Sequence, residues 1–97
     1  MNANVSIQVL PEGDNKEVVR VVDQVIAYIQ STGLHCFVGP TETAIEGELD
    51  ELMEIVKRCQ YICIEAGSPS VMSYVKIGYR PNGDVLTIDE KTSKYHQ

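Results

Sequence analysis

Three cysteines, two histidines and a short run of carboxylates and hydroxyls are the residues of this chain with chemistry to offer, and their spacing suits holding a ligand better than transforming one. Cys59 and Cys63 stand four apart, on one face of a helix, and Cys36 is remote from both. An odd thiol count without a second pair at metal-ligand spacing reads as free, buried sulfur behaving as small apolar side chains. His35 adjoins Cys36, but neighbours on a strand point to opposite faces, so the two chelate poorly and no metal site is expected. Glu42 and Glu46 share a strand face roughly 13 Å apart at about 3.3 Å per residue, wide for a pair of catalytic carboxylates. With neither a nucleophile beside a base nor a phosphate-cradling glycine loop at recognisable spacing, no catalytic residue is assigned and the chain is not expected to be an enzyme.

The elements that must position these residues follow from hydrophobic period and breakers. Asn4 to Leu10 alternates, with Val5, Ile7 and Val9 on one face and Ser6, Gln8 and Leu10 on the other, which is the pattern of a half-buried strand. Pro11-Glu12-Gly13-Asp14-Asn15 breaks it, and Asp14 or Asn15 can cap a helix from about Lys16 to Ser31. The apolar stripe of that helix is Val18, Val22, Val25, Ile26 and Ile29, and Gly33 ends it. Leu34 to Val38 reads as a second strand. Gly39-Pro40 breaks the chain again, and a third strand starts near Thr41, with Thr41, Thr43 and Ile45 on one face and Glu42, Ala44 and Glu46 on the other. At Gly47 it turns into a second helix whose first turn is acidic, matching the positive end of the helix dipole, and whose stripe runs from Leu49 to Cys63. Ala66-Gly67-Ser68-Pro69 stops it, Val71 to Tyr79 is a fourth strand, and Thr87 followed by Glu90 is a capping box for a short terminal helix.

Strand-helix-strand repeated twice predicts an α+β, ferredoxin-like βαββαβ sandwich over residues 1–97 as one domain, with both long helices on one side of a four-stranded antiparallel sheet. Its other side would carry Ser6, Gln8, Leu10, Tyr74 and Lys76, too apolar for water and too polar for a core, so homo-oligomerisation is expected. A formal charge of -6 argues against binding a nucleic-acid backbone. No apolar run reaches the roughly 20 residues of a membrane span, and the first residues lack a signal-peptide pattern, so a cytoplasmic protein without membrane partners is expected.

On these grounds a small-molecule pocket is placed near the sheet face, with apolar walls such as Leu10, Phe37, Ile45 and a tyrosine ring, and hydrogen-bonding groups from Ser6, Gln8, Thr43 and Glu46. Carboxylates beside aromatics suit a small cation or a heteroaromatic ring. Tyr74 and Tyr79 as plain core or interface aromatics, and the whole chain as an interaction or regulatory module with another ligand, are the competing readings.

Over nearly its whole length the chain also resembles the small thiamine-binding domains of the YkoF-like family. The resemblance is carried by Ser6-Ile7-Gln8-Val9-Leu10-Pro11, Val21-Val22-Asp23-Gln24-Val25-Ile26, Val38-Gly39-Pro40, Thr43-Ala44-Ile45-Glu46-Gly47-Glu48-Leu49-Asp50 and Val75-Lys76-Ile77-Gly78-Tyr79-Arg80. It implies a ferredoxin-like fold, assembly through sheet faces into dimers and tetramers, and capture of thiamine or its hydroxymethylpyrimidine part without turnover or any cofactor. The ligand-binding residues it points to are Ser6, Gln8, Phe37, Thr43, Glu46 and Tyr79. Glu42 departs from the small residue, commonly glycine, that the resemblance leads one to expect there, and a carboxylate at that place would narrow the pocket or change its ligand.

Overall fold

The computed structural model describes residues 1–96. Strand β1 (Ala3–Pro11) is followed by helix α1 (Asn15–Ser31), strands β2 (Cys36–Val38) and β3 (Thr43–Gly47), helix α2 (Leu49–Glu65), strand β4 (Val71–Tyr79) and a short helix α3 (Ile88–Thr92) that tightens into a 3-10 turn at Ser93–Tyr95. The sheet is antiparallel throughout, in the order β2-β3-β1-β4, which is the ferredoxin-like arrangement expected from the element order. Both interior strands, β1 and β3, are thus brought together by a crossover through α1 and β2.

Strand alternation sorts the sheet into two faces. Ala3, Val5, Ile7 and Val9 of β1 and Ile45 of β3 point toward the helices and join Val21, Val25 and Ile29 of α1 and Leu52, Ile55, Cys59 and Cys63 of α2 in one core. The α1 stripe includes Val21, only 1% exposed, which the residue spacing alone had passed over in favour of Val22 next to it. Ile45, expected as a wall of the outer pocket, lies in this core with no exposed surface, because its pairing with Val5 fixes its side chain on the helix side.

Local chemistry sets the element ends. Asp14 caps α1 by accepting from the Glu17 amide at 2.9 Å. Helix α2 has Glu48 at its cap position without a side-chain cap bond, and the Asn2 side chain, entering from the strand beside it, accepts from the Leu49 amide at 3.0 Å instead. At the far end Arg20 donates to the Ala66 carbonyl at 2.6 Å while pairing with Glu17, tying the end of α2 to α1. Strand β2 begins at Cys36 and not at Leu34, and β3 begins two residues after Thr41, because the Gly39–Glu42 segment before it closes on itself through a Gly39 amide to Glu42 carbonyl bond of 2.9 Å. A Cβ on Gly39 would lie 2.9 Å from that same oxygen, so the loop requires glycine.

The face away from α1 and α2 is not bare. Helix α3 folds over its β2-β3 half. Its capping box forms, with Thr87 accepting from the Glu90 amide at 3.0 Å and Glu90 accepting from the Thr87 amide at 3.1 Å. Ile88, 6% exposed, is the apolar contact.

Candidate functional site

Among the described residues a cavity opens on each face of the sheet. The first is a slot of about 140 Å³ between β1, the middle of α1 and the Gly39–Thr43 segment. Its existence follows from register. Pairing of β3 with β1 stops at Ile7 opposite Thr43, whereas β4 follows β1 to Pro11, so from Gln8 onward β1 has no strand neighbour on its β3 side. Val22, Val25, Ile26 and Ile29 supply the helix wall, Ile7 and Val9 the strand wall, and Gln8, Thr41, Glu42 and Thr43 the polar rim.

The second cavity, about 120 Å³, lies under α3 on the opposite face, between Ser6, Ala44 and Phe37 on the sheet and Ile88, Lys91 and Thr92 on the helix. Phe37, Ala44, Ser6 and Lys76 form one cross-strand row there. Glu46 sits one pleat along, 7% exposed, and accepts from the Ile88 amide at 2.8 Å. That bond uses a free donor at the start of α3 and gives the buried carboxylate its partner. Farther out the strap is held by His35 Nε2 and Asp89 Oδ1 at 3.2 Å and by the Phe37 and His96 rings, whose centroids are 5.2 Å apart.

The six residues singled out from the sequence therefore separate. Gln8 and Thr43 border the slot. Ser6 and Phe37 line the cavity under α3, and Glu46 anchors that helix. Tyr79 pairs with Ala3, four residues from Ile7 along β1 and so roughly 13 Å from the slot. Sequence reasoning missed the slot's helix wall, because Val22, Ile26 and Ile29 look like ordinary core, and it missed Thr41 as a rim residue, whereas Glu42 was expected to narrow or alter a pocket and does border the slot. The signal available was the Gly-Pro break, which predicts a loop where a strand neighbour would otherwise close the edge of β1.

Little in either cavity points to bond-making chemistry. Glu42 Oε1 lies 3.2 Å from Lys76 Nζ in an ion pair that crosses the outer face. Cys59 and Cys63 are free thiols in the core, and burial pushes Cys59 up to about 12, with Cys63 adding a smaller contribution; burial raises Cys63 as well. Thiols so shifted stay protonated and are poor nucleophiles. Among the described residues no three His, Cys, Asp or Glu side chains converge in a way that could hold a metal ion, and no helix is long and apolar enough to cross a membrane.

A family model described as "Thiamine-binding protein" matches residues 5–96, the span that builds the sheet, both long helices and the strap. This chain belongs to that family. A UPF0045-family protein of Clostridium perfringens is 52% identical over 92 residues, covering 95% of either chain. A Bacillus cereus domain of unknown function superposes with a TM-score of 0.87 at 44% identity, over 98% of this chain and 90% of its own. A Thermotoga maritima protein, described as a candidate thiamine biosynthesis/salvage protein, superposes with a TM-score of 0.83 at 35% identity, over 98% and 99% of the two chains. Both solved structures thus superpose on nearly the whole of this chain.

Proposed function

We propose that this protein binds thiamine through its hydroxymethylpyrimidine ring, without turning it over, and that the ring occupies the slot between α1 and the open edge of β1. The observation that carries the reading is the slot's size and lining. Its volume of about 140 Å³ is close to the roughly 150 Å³ of an apolar protein cavity that admits a benzene ring. Apolar residues flank the ring on both sides, while Thr43 offers a hydrogen bond to its edge. The rest of the ligand emerges past Thr41 and Glu42 into solvent. The family assignment and the Thermotoga maritima neighbour support this ligand class.

The same reading places the protein in the cytoplasm as a homo-oligomer. Helix α3 leaves the β1-β4 half of the outer face uncovered, where Leu10, Met72 and Tyr74 are 40%, 62% and 62% exposed, and a second copy packed there would bury them. Paired dimers make the tetramer.

Titration calorimetry with thiamine and with hydroxymethylpyrimidine tests the function, with the ligand recovered afterwards. Saturable binding of both, with the ligand intact, is expected, and Thr43→Val should weaken it by about tenfold, as loss of one hydrogen bond does. Absence of heat with both ligands, or recovery of an altered ligand, rejects the reading.

A further inference from the structure

We propose that Glu42 and Lys76 are positioning residues for the slot that act from the opposite face of the sheet: their ion pair holds the Gly39–Glu42 wall in place and so slows the escape of a bound ring. The part that concerns ligand retention rests on the pyrimidine-binding reading, and the part that concerns the wall does not.

The geometry of the β2-β3 hairpin carries the inference. Its last pair is Val38 with Thr43, so Gly39, Pro40, Thr41 and Glu42 make up its tip. Pairing of β3 with β1 also ends at Thr43, opposite Ile7, so the tip overhangs the stretch of β1 beside the slot and walls the slot there. Thr43 is 6% exposed and turned to the helix side with Ile7, which turns its predecessor Glu42 to the outer face. There Glu42 Oε1 meets Lys76 Nζ at 3.2 Å. Lys76 lies on β4, paired with Ser6 of β1, so the contact bridges two interstrand spacings, about 10 Å, and fastens the tip to the strand on the far side of β1.

Glu42 therefore works on both faces at once. Its carbonyl accepts from the Gly39 amide at 2.9 Å, which sets the shape of the tip, and its carboxylate reaches β4, which sets where the tip stands on the sheet. Movement of Glu42 away from the sheet breaks both bonds and widens the slot. The helix and strand walls of the slot belong to the core, so the tip is the wall that such a tether can control. With side chains 74% and 41% exposed, the pair is weak and screened by salt. A tether of that strength should hold opening of the tip down by about two- to fivefold, enough to slow escape without sealing the slot.

Hydrogen exchange at the Gly39 amide reads opening of the tip in the whole protein without ligand, and the dissociation rate of hydroxymethylpyrimidine reads retention. Glu42→Gln and Lys76→Met should each speed Gly39 exchange and hydroxymethylpyrimidine release by about two- to fivefold at low salt, and raised salt should do the same to the unaltered protein. The exchanged pair, Glu42→Lys with Lys76→Glu, should restore both rates, whereas either reversal alone should speed them further through like-charge repulsion. A carboxylate acting directly on the ligand would not be rescued by that exchange. Unchanged Gly39 exchange in both neutral variants, or failure of the exchanged pair to restore it, overturns the tether and leaves the pyrimidine reading intact. Gly39 exchange that responds as expected, with hydroxymethylpyrimidine release unaltered, overturns the retention role. The expected exchange with no binding of hydroxymethylpyrimidine or thiamine upholds the tether and rejects the pyrimidine reading together with retention. Thermal melts of each variant separate loss of fold from opening of the tip.

Discussion

The two faces of the sheet are closed by opposite means. On one, two helices of 17 residues each press a continuous apolar layer onto β1 and β3, and residues such as Val5, Ile45, Leu52 and Cys59 lose nearly all contact with water. On the other, a helix of five residues is held by one apolar side chain, one buried carboxylate and a few exposed contacts. Apolar burial is non-directional and scales with area, so it makes the first face the seat of stability. A polar tether is directional and local, so it can place a short segment accurately without contributing much to the whole. The lesson is that a cavity on the first face has walls as rigid as the core, whereas the cavity on the second is only as permanent as the strap above it.

Breaking the first face should have the largest effect. Leu52→Ala or Ile29→Ala removes a fully buried side chain, and about 2–5 kcal/mol of stability should be lost in denaturant unfolding; Ile29 also walls the slot, so its variant should lose ligand affinity as well. Glu46→Ala should cost less, about 1.5–3 kcal/mol for a hydrogen bond to a charged group, and should release α3 while the core stays folded. Limited proteolysis would then cut between Tyr79 and Ile88, and Glu46→Gln, which can still accept from the Ile88 amide, should resist. Equal proteolysis of the two variants would break the contrast.

The core thiols give a smaller effect that depends on pH. Burial raises the folded pKa of Cys59 from an ordinary value of 9.0 to about 12 and raises that of Cys63 in the same direction. The stability linked to these protonated thiols is therefore complete below about pH 9 and is lost as pH climbs toward 12, because the unfolded chain ionises first. Replacing both by Ala should flatten that alkaline decline in a chemical-denaturation series, and at pH 8 an alkylating reagent should modify Cys36 in the native protein well before the other two. Smallest of all should be Asp89→Asn. The His35–Asp89 pair has side chains 51% and 78% exposed, and such pairs are worth about 0–1 kcal/mol. A melting shift larger than that of Glu46→Ala would mean that the strap depends on its rim and not on its buried carboxylate.

Much of this was legible in the residues. The alternation of β1 assigned Val5, Ile7 and Val9 to the core and Ser6, Gln8 and Leu10 to the outer face; β4 was read at its observed limits; and the Thr87–Glu90 capping box announced α3. Periodicity reads such features because each depends on neighbours within a few positions. Where Glu46 goes was not legible in this way. As one of two carboxylates on a strand face it looked like a ligand contact, and only the return of the chain 42 residues later to put the Ile88 amide over it gives it a structural partner. Thr43 and Glu46 likewise read as one site, although strand parity puts Thr43 with Ile7 on the helix side and Glu46 with Asn4 on the other.

The sequence by itself determined the order of elements, the side each strand turns to the helices, and the absence of any spaced nucleophile, base and metal-ligand pattern. These depend on period, breakers and residue type, all of which act over a few residues. Tertiary structure alone decided that β3 leaves β1 at Ile7, that α1 lies against the edge so exposed, and that Lys76 reaches Glu42 across the sheet. Such facts depend on register and on contacts between residues tens of positions apart, which no local pattern encodes, and they are what turn a Gly-Pro break into a ring-sized slot.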